Sequence, residues 1–348
     1  MTKQEVYNLL VSSKRPIDCF GDVSNEVELK KSYLKFAKII HPDTASPRDE
    51  YICNSGFAIL QDLYEKGQEE LKKGIYSLIE ATDLYEKSDI LFELKIHGKD
   101  YKFYENIYQG EVSDIYRGLC DKELVCLKLA LDESDNDLLR REYETLKTYR
   151  HQSFPIVKDF IKINNCSAIV MEEIKGENLA DIMQRNPKGL DPQVVIWVME
   201  RLFSAVGYLH SNYIVHGNII PENIILNKVN HNASLTGFSF HISNANEVGA
   251  EYQIRNDDFS APEVSKTEIV MPQSDIYSLG KLAVYMLGGS LKTNGMPLSV
   301  DSSIRTFIRK MVEVDKTKRS GDAWKLWDEW REIRKKLYGN AKYVQIDF

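Results

Sequence analysis

The chain has 348 residues, of which 43% are hydrophobic and 28% are charged. This ordinary globular mixture excludes a wholly disordered or low-complexity protein, and the length favours two domains over one. The net charge of −7 argues against nucleic acid or an anionic membrane as the main partner, because both attract a basic protein surface.

The five cysteines are irregularly spaced and include no Cys-x-x-Cys pair. This pattern disfavours a disulfide scaffold or a metal site and fits a reducing compartment. The start of the chain lacks the apolar run of a signal peptide, and no stretch reaches the roughly 18 apolar residues that a membrane span needs. These features predict a cytoplasmic protein that does not interact with a membrane.

The first 80 residues show the periodicity of amphipathic helices. Over residues 25–40, apolar side chains recur at helical spacing on one face, whereas Lys31, Lys35 and Lys38 fall on the opposite face. Pro42 ends this helix because it has no amide donor. A second helix is predicted from Phe57, Leu60, Tyr64, Leu71 and Ile75. Two such helices joined by a loop indicate a helical hairpin.

The loop after the lysine-bearing helix reads His41-Pro42-Asp43. By itself such a tripeptide is a plausible turn. In its context, however, residues 29–43 resemble the second helix and loop of a J-domain, the co-chaperone module typified by DnaJ. The resemblance covers about residues 1–80, although the N-terminal stretch fits the usual first helix poorly. It implies that the tripeptide and the basic face bind a DnaK-type heat-shock chaperone and stimulate its ATP hydrolysis, through Lys31, Lys35, Lys38, His41, Pro42 and Asp43.

From about residue 92 the pattern changes from helical to mixed. Residues 92–96 and 124–129 alternate like β-strands, and Gly98 and Gly110 mark turns. Helical patterns then cover residues 192–210, 275–287, 304–312 and 321–337. The order of these elements predicts a second domain of α+β type, with strands at its front and helices at its back.

Seven motifs and single residues in this second domain resemble protein kinases in order and spacing, over about residues 98–335. Lys128 stands where the third strand of the family carries its phosphate-binding lysine, and Glu142 stands where a helix glutamate pairs with that lysine. The other matches are the catalytic-loop segment 208–226, Leu235 to Ser239, Ala261-Pro262-Glu263, residues 274–280 and Arg319. The resemblance implies a two-lobed, kinase-like fold after the small all-α J-domain. The predicted domains are 1–80 (J-domain), 81–97 (linker), 98–175 and 176–338 (kinase-like lobes) and 339–348 (tail).

Several groups that a kinase uses for catalysis are replaced in this chain. Phosphoryl transfer needs a base, metal ligands and phosphate clamps. Asn218 stands where the resemblance places an aspartate base, Ile220 where it places a lysine, and Gly237 where it places the main magnesium ligand. Only Asn223 remains as a potential ligand. These replacements predict a catalytically inactive domain, a pseudokinase.

The remaining nucleotide-contacting positions have two interpretations. Lys128 and Glu142 form either a structural ion pair or a true nucleotide contact. Of the glycines in the loop that would cover the phosphates, only Gly110 is present. No cofactor is therefore expected beyond weak, metal-independent ATP binding through Gly110, Lys128, Glu142 and Asn223. His210 and His216 are interpreted as core or backbone-bonding residues rather than as bases or ligands.

These observations favour a non-enzymatic co-chaperone whose kinase-like domain is a scaffold for an unidentified client protein. One alternative is an atypical nucleotide-dependent transferase or weak protein kinase that uses Lys128, Glu142 and Asn223. Another is a structural interaction protein with a vestigial J-domain. Near the C-terminus, Trp324, Trp327 and Trp330 recur at helical spacing. They either cap the core of the second lobe, which we favour, or bind a partner.

Overall fold

The computed structural model describes residues 1–13, 15–21, 23, 25–45, 49–72, 90–121, 123–227, 231–245, 251–266 and 270–339. The chain divides into a smaller compact unit within residues 1–93 and a larger unit within residues 94–341. Ile75, residues 81–89 of the predicted linker and residues 340–348 of the predicted tail lie outside the described residues. Among the described helices, none is both long enough and apolar enough to cross a membrane.

The described residues of the smaller unit form four α-helices: α1 (Lys3–Ser12), α2 (Pro16–Phe20), α3 (Glu26–Ile40) and α4 (Glu50–Lys72). Helices α1 and α2 occupy the N-terminal stretch that fitted the expected first helix poorly. The Thr2 hydroxyl accepts a hydrogen bond from the Glu5 amide, and the Glu5 carboxylate accepts one from the Thr2 amide. This capping box is visible in the sequence as Thr2-x-x-Glu5 and is the signal that could have predicted the start of α1.

Helices α3 and α4 pack on each other through the apolar face predicted for residues 25–40. Leu29, Phe36 and Ile40 of α3 are buried in the core of this unit. Asn25 begins the helix by accepting hydrogen bonds from two amides of its first turn. Gly56 of α4 permits the close approach, because a Cβ atom there would lie 2.3 Å from Ile40 Cδ1. The helical hairpin is therefore formed as predicted.

The tripeptide between these helices forms a tight turn. Pro42–Thr44 is one turn of 3₁₀ helix, and the Asp43 amide donates to Nδ1 of His41 at 3.2 Å. The imidazole packs on Phe57, with ring centroids 4.7 Å apart. The three lysines of the proposed basic face, Lys31, Lys35 and Lys38, are exposed on α3. The structure thus shows that the tripeptide forms a turn. Binding of a chaperone by the tripeptide and the three lysines stays a prediction.

The larger unit begins with a six-stranded sheet in the order β1-β2-β3-β4-β6-β5. Its strands are β1 (Phe92–Ile96), β2 (Lys99–Gln109), β3 (Ser113–Cys120), β4 (Glu123–Ala130), β5 (Val157–Ile163) and β6 (Cys166–Glu172). Helix α5 (Asn136–Thr148) packs on β5 and β6. Strand β4 is central in this sheet, so its residues Val125 to Lys128 are buried in succession rather than alternately.

A helical lobe follows the sheet. It contains α6 (Leu179–Arg185), α7 (Pro192–Ser211), α8 (Pro272–Met286), α9 (Ser302–Met311) and α10 (Ala323–Tyr338). Strands β7 (Glu177–Asn178), β8 (Ile224–Asn227) and β9 (Asn232–Leu235) form a small sheet in chain order. The four helices predicted in this lobe are present, each within three residues of its predicted bounds. Their apolar periodicity made them predictable, because most of their apolar side chains enter one core.

The tryptophans of α10 differ in their surroundings. Trp330 is fully buried, and its Nε1 donates to the carbonyl oxygen of Ile196 on α7 at 3.0 Å. Trp324 is partly exposed and donates from Nε1 to the Ser211 hydroxyl. The core-capping interpretation is therefore correct for Trp330.

Candidate functional site

A buried lysine–glutamate pair lies at the centre of the site. Lys128 on β4 donates from Nζ to Oε2 of Glu142 on α5 at 2.6 Å. Ser239 completes a ring with them: its hydroxyl accepts from Lys128 at 2.8 Å and donates to Oε2 of Glu142 at 2.8 Å. All three side chains are buried, so water does not weaken these charge-assisted bonds. The sequence predicted the pair but missed the role of Ser239.

The turn between β2 and β3 is the predicted glycine-bearing loop. The Gly110 amide donates to the Ser113 carbonyl at 3.1 Å, and a Cβ on Gly110 would lie 2.7 Å from the Tyr108 ring. Burial, together with the nearby carboxylates of Glu222 and Glu111, raises the pKa of the Tyr108 hydroxyl. The hydroxyl of Tyr108 therefore stays protonated at neutral pH.

A buried carboxylate holds the catalytic-loop segment in place. Asp275 of α8 accepts hydrogen bonds from the amides of His216 and Gly217 at 2.8 and 2.9 Å, and from Nε2 of His210 at 2.9 Å. Burial alone would raise the pKa of Asp275, but the bonds from His210 and the amides hold it below the ordinary value. The sequence interpretation made His210 a core or backbone-bonding residue, whereas its ring bonds a side-chain carboxylate. Its partner follows 65 residues later, at a separation that local spacing cannot reveal.

His216 is a buried, neutral residue that joins two segments of the site. Its Nδ1 accepts from the Asn218 amide at 3.3 Å, and its Nε2 donates to the Thr236 carbonyl at 3.0 Å. Its ring packs on Phe238, with centroids 4.8 Å apart. Burial lowers the pKa of His216 to about 4, because the imidazolium would lose its hydration. His216 thus bonds to backbone atoms, as the sequence predicted.

We expect this histidine to make the protein less stable in acid. In the unfolded chain His216 titrates near its ordinary value of 6.5, whereas in the folded protein it titrates at about 4. Between these values the unfolded state binds the additional proton, so the free energy of unfolding falls as the pH falls. Each additional proton bound by the unfolded state lowers the free energy of unfolding by about 1.4 kcal/mol per unit of falling pH.

The measurement is urea unfolding of the wild type and of His216→Gln at pH 7, 6 and 5. The variant should show the smaller pH slope, and His97→Gln, which alters an exposed imidazole, should leave the slope unchanged. Equal slopes for the wild type and His216→Gln would contradict this assignment.

Two of the three replaced positions, 218 and 237, lie against Asn223. Asn223 donates from Nδ2 to the carbonyl oxygen of Asn218 at 2.9 Å. Gly237 has a left-handed backbone, with φ of 77°, and a Cβ there would lie 2.3 Å from the Asn223 side chain. The asparagine amide therefore occupies the space that a side chain at position 237 would need. Ile220, the third replaced position, is partly buried against the core of the lobe.

These residues do not fit a magnesium ion held between two protein side chains. Magnesium requires oxygen ligands in near-octahedral geometry. Gly237 supplies no side chain, and the amide nitrogen of Asn223 is directed to Asn218. Any metal ion at this place would rely mainly on the nucleotide and on water for its ligands.

A buried ion pair anchors the segment that follows. Glu263 pairs with Arg319, as the motif resemblance implied, and also accepts from the Ser274 hydroxyl at 3.0 Å. Arg319 donates in addition to the Gln273 carbonyl at 2.9 Å. These bonds attach the segment 251–266 to the start of α8.

The sequence of this chain is similar to a known protein family and to several characterised proteins. The family model described as the protein kinase domain matches residues 101–338. Serine/threonine-protein kinase PrkC of Bacillus subtilis is 26% identical over 215 residues, which cover 59% of this chain and 33% of that protein. Serine/threonine-protein kinase PAK 1 of Mus musculus is 24% identical over 269 residues, which cover 69% of this chain and 48% of that protein. The chain thus spans less than half the length of either relative.

These matches correct the main functional hypothesis. The family match begins at residue 101, after the helical unit, and both relatives are kinases. The prediction of a non-enzymatic J-domain co-chaperone is therefore wrong: the N-terminal helices are compatible with such a unit but do not identify one.

The prediction of an inactive pseudokinase is contradicted by the same relatives. It rested on the residues at positions 218, 220 and 237, and treated a lost base and a lost metal ligand as decisive. Phosphoryl transfer depends mainly on positioning and on electrostatic stabilisation, however, and the buried Lys128–Glu142 pair is intact.

The family match extends from the strand before the glycine-bearing turn to the last residue of α10. It includes both lobes of the larger unit and every position of the site from Tyr108 to Arg319. Because it covers more than half of the 348 residues, the chain belongs to the protein kinase domain family.

Proposed function

We propose that the larger unit is a slow protein kinase that transfers phosphoryl groups from ATP to serine or threonine hydroxyls of proteins. The observation that carries this proposal is the bond of 2.6 Å between Lys128 and Glu142, which joins the sheet to α5 inside the site. The relatives named serine/threonine-protein kinases support the substrate class.

Lys128 has the geometry of a phosphate-binding group. A lysine ammonium has three N–H donors. Glu142 and Ser239 accept two of them, which leaves one for a phosphate oxygen. The same two bonds hold the ammonium in one position, so little conformational freedom is lost when the nucleotide binds. ATP would bind weakly between Gly110, Lys128, Glu142 and Asn223, with little dependence on magnesium because Gly237 adds no carboxylate.

Asn218 sets the expected rate. Its neutral amide can hydrogen-bond to a substrate hydroxyl but cannot take up the proton. A positioned general base contributes about 10²- to 10⁴-fold to the rate of a reaction. We therefore expect turnover at least about a hundredfold below the range of roughly 1–100 per second that is typical of kinases.

The test is transfer of label from γ-labelled ATP to a generic protein substrate by the purified full-length chain, with magnesium, with manganese and with a chelator. Lys128→Met is expected to abolish transfer, because it removes the only charge on β4 that faces Glu142. Lys162→Met is the matched control, since this lysine is exposed on β5. Label that is absent from the wild type, or that persists in Lys128→Met, would refute the proposal.

A cytoplasmic location is part of this proposal and is supported by the cysteine chemistry. All five cysteines are free, and four of them are buried. Burial raises the pKa of the Cys19 and Cys126 thiols to about 12, which keeps both protonated and unreactive. Fractionation of the host cell tests the location, and recovery outside the cytoplasm would exclude it.

A further inference from the structure

Two buried links connect α5 to the segment that begins at Phe238. In the first, Ser239 donates to Glu142 at 2.8 Å. In the second, Nε2 of His241 lies 2.7 Å from the Thr145 hydroxyl. Nδ1 of His241 is 2.6 Å from the Phe238 carbonyl and must donate to it, so Nε2 is the acceptor and Thr145 is the donor. All four side chains of the two links are buried.

The two links are one helical turn apart on α5, because Glu142 and Thr145 are three residues apart. They therefore restrain both the position of this helix and its rotation about its axis. A glycine at position 239 would have no hydroxyl and could not form the first link.

The resemblance to protein kinases places, at position 217, an arginine that in many of them binds a phosphate on the activation segment, here residues 251–266. Gly217 occupies that position, with a left-handed backbone of φ 71°. A Cβ there would lie 3.1 Å from Cδ1 of Ile242. Position 217 therefore offers no cation to a phosphate on the segment 251–266.

We propose that Ser239 and His241 are positioning residues, which clamp α5 and keep Glu142 on Lys128 without phosphorylation of the activation segment. The consequence for activity rests on the proposed kinase function. The clamp itself is a property of the fold and can be measured without any catalysis.

The experiment is hydrogen exchange of the amides of residues 136–148, followed by mass spectrometry, in the full chain after treatment with a protein phosphatase. Ser239→Thr and Ser239→Val have the same shape and differ only in the hydroxyl. We expect exchange in α5 to be about tenfold faster in Ser239→Val than in Ser239→Thr, the effect of losing one hydrogen bond to a charged group. Thr145→Val should also accelerate exchange, because it removes the donor to His241.

Thr236→Val is the matched control. Its hydroxyl bonds the Asn223 carbonyl and not α5, so exchange in α5 should stay at the wild-type rate. Two results would overturn the clamp: equal exchange in Ser239→Thr and Ser239→Val, or loss of α5 protection when the wild type is dephosphorylated.

Transfer from labelled ATP is measured on the same samples and keeps the two proposals apart. Absence of transfer in the wild type, with the expected exchange pattern, would refute the kinase function and leave the clamp standing. Transfer in the wild type, with equal exchange in both Ser239 variants, would refute the clamp alone.

Discussion

Replacement of Asn218 by aspartate is expected to raise the rate of phosphoryl transfer about a hundredfold, the lower end of what a positioned general base contributes. The change is nearly isosteric, and the backbone at this position is already fixed. The Asn218 amide donates to His216, and the two preceding amides donate to Asp275. The carboxylate of the aspartate would therefore lie where the side-chain amide of Asn218 now lies. From there it could accept the proton of a substrate hydroxyl.

The measurement is kcat from initial rates at saturating ATP and protein substrate. Asn25→Asp is the control for an added negative charge, because this residue caps α3 through its side-chain oxygen, a role that aspartate keeps. An Asn218→Asp variant that folds normally and is no faster than the wild type would show that the chemistry does not use this position.

The same gain is not expected from aspartate at position 237. The backbone there is left-handed, and the new Cβ would lie 2.3 Å from the Asn223 side chain. Gly237→Asp is therefore strained whatever chemistry it might add.

The second large effect is expected from Asp275→Asn, which should lower the free energy of unfolding by about 3–5 kcal/mol, as when one partner of a buried charged network is removed. The carboxylate is buried and accepts three hydrogen bonds, from His210, His216 and Gly217. An amide would direct its own N–H groups at these donors. Such a loss is a large part of the roughly 5–15 kcal/mol that stabilises a typical domain.

Urea unfolding at pH 7 measures this loss. Asp328→Asn, at an exposed position on α10, should change the free energy of unfolding by no more than about 0.5 kcal/mol. A similar small change for Asp275→Asn would mean that the catalytic-loop segment is held in place by its other contacts.

Local features of the sequence were sufficient for much of the fold. The helix that ends before Pro42 and the long helices of the second lobe follow from apolar periodicity and from their capping and terminating residues, which act within a few residues. The order of the motifs was sufficient for the kinase fold and for the pairing of Lys128 with Glu142. The wrong function came from the replaced residues at positions 218, 220 and 237. The sequence shows that these catalytic side chains are absent, but it does not show how much their absence lowers the rate of phosphoryl transfer.

Other features were decided only by the tertiary structure. Ser239 lies 111 residues after Lys128, and Asp275 lies 65 residues after His210, yet each pair is in direct contact. The pKa of His216 depends on its burial against Phe238 and Asp275, which lie 22 and 59 residues further along the chain. Hydrogen bonds and desolvation depend on distances in space, and the sequence by itself determines only which chemical groups are available to come together.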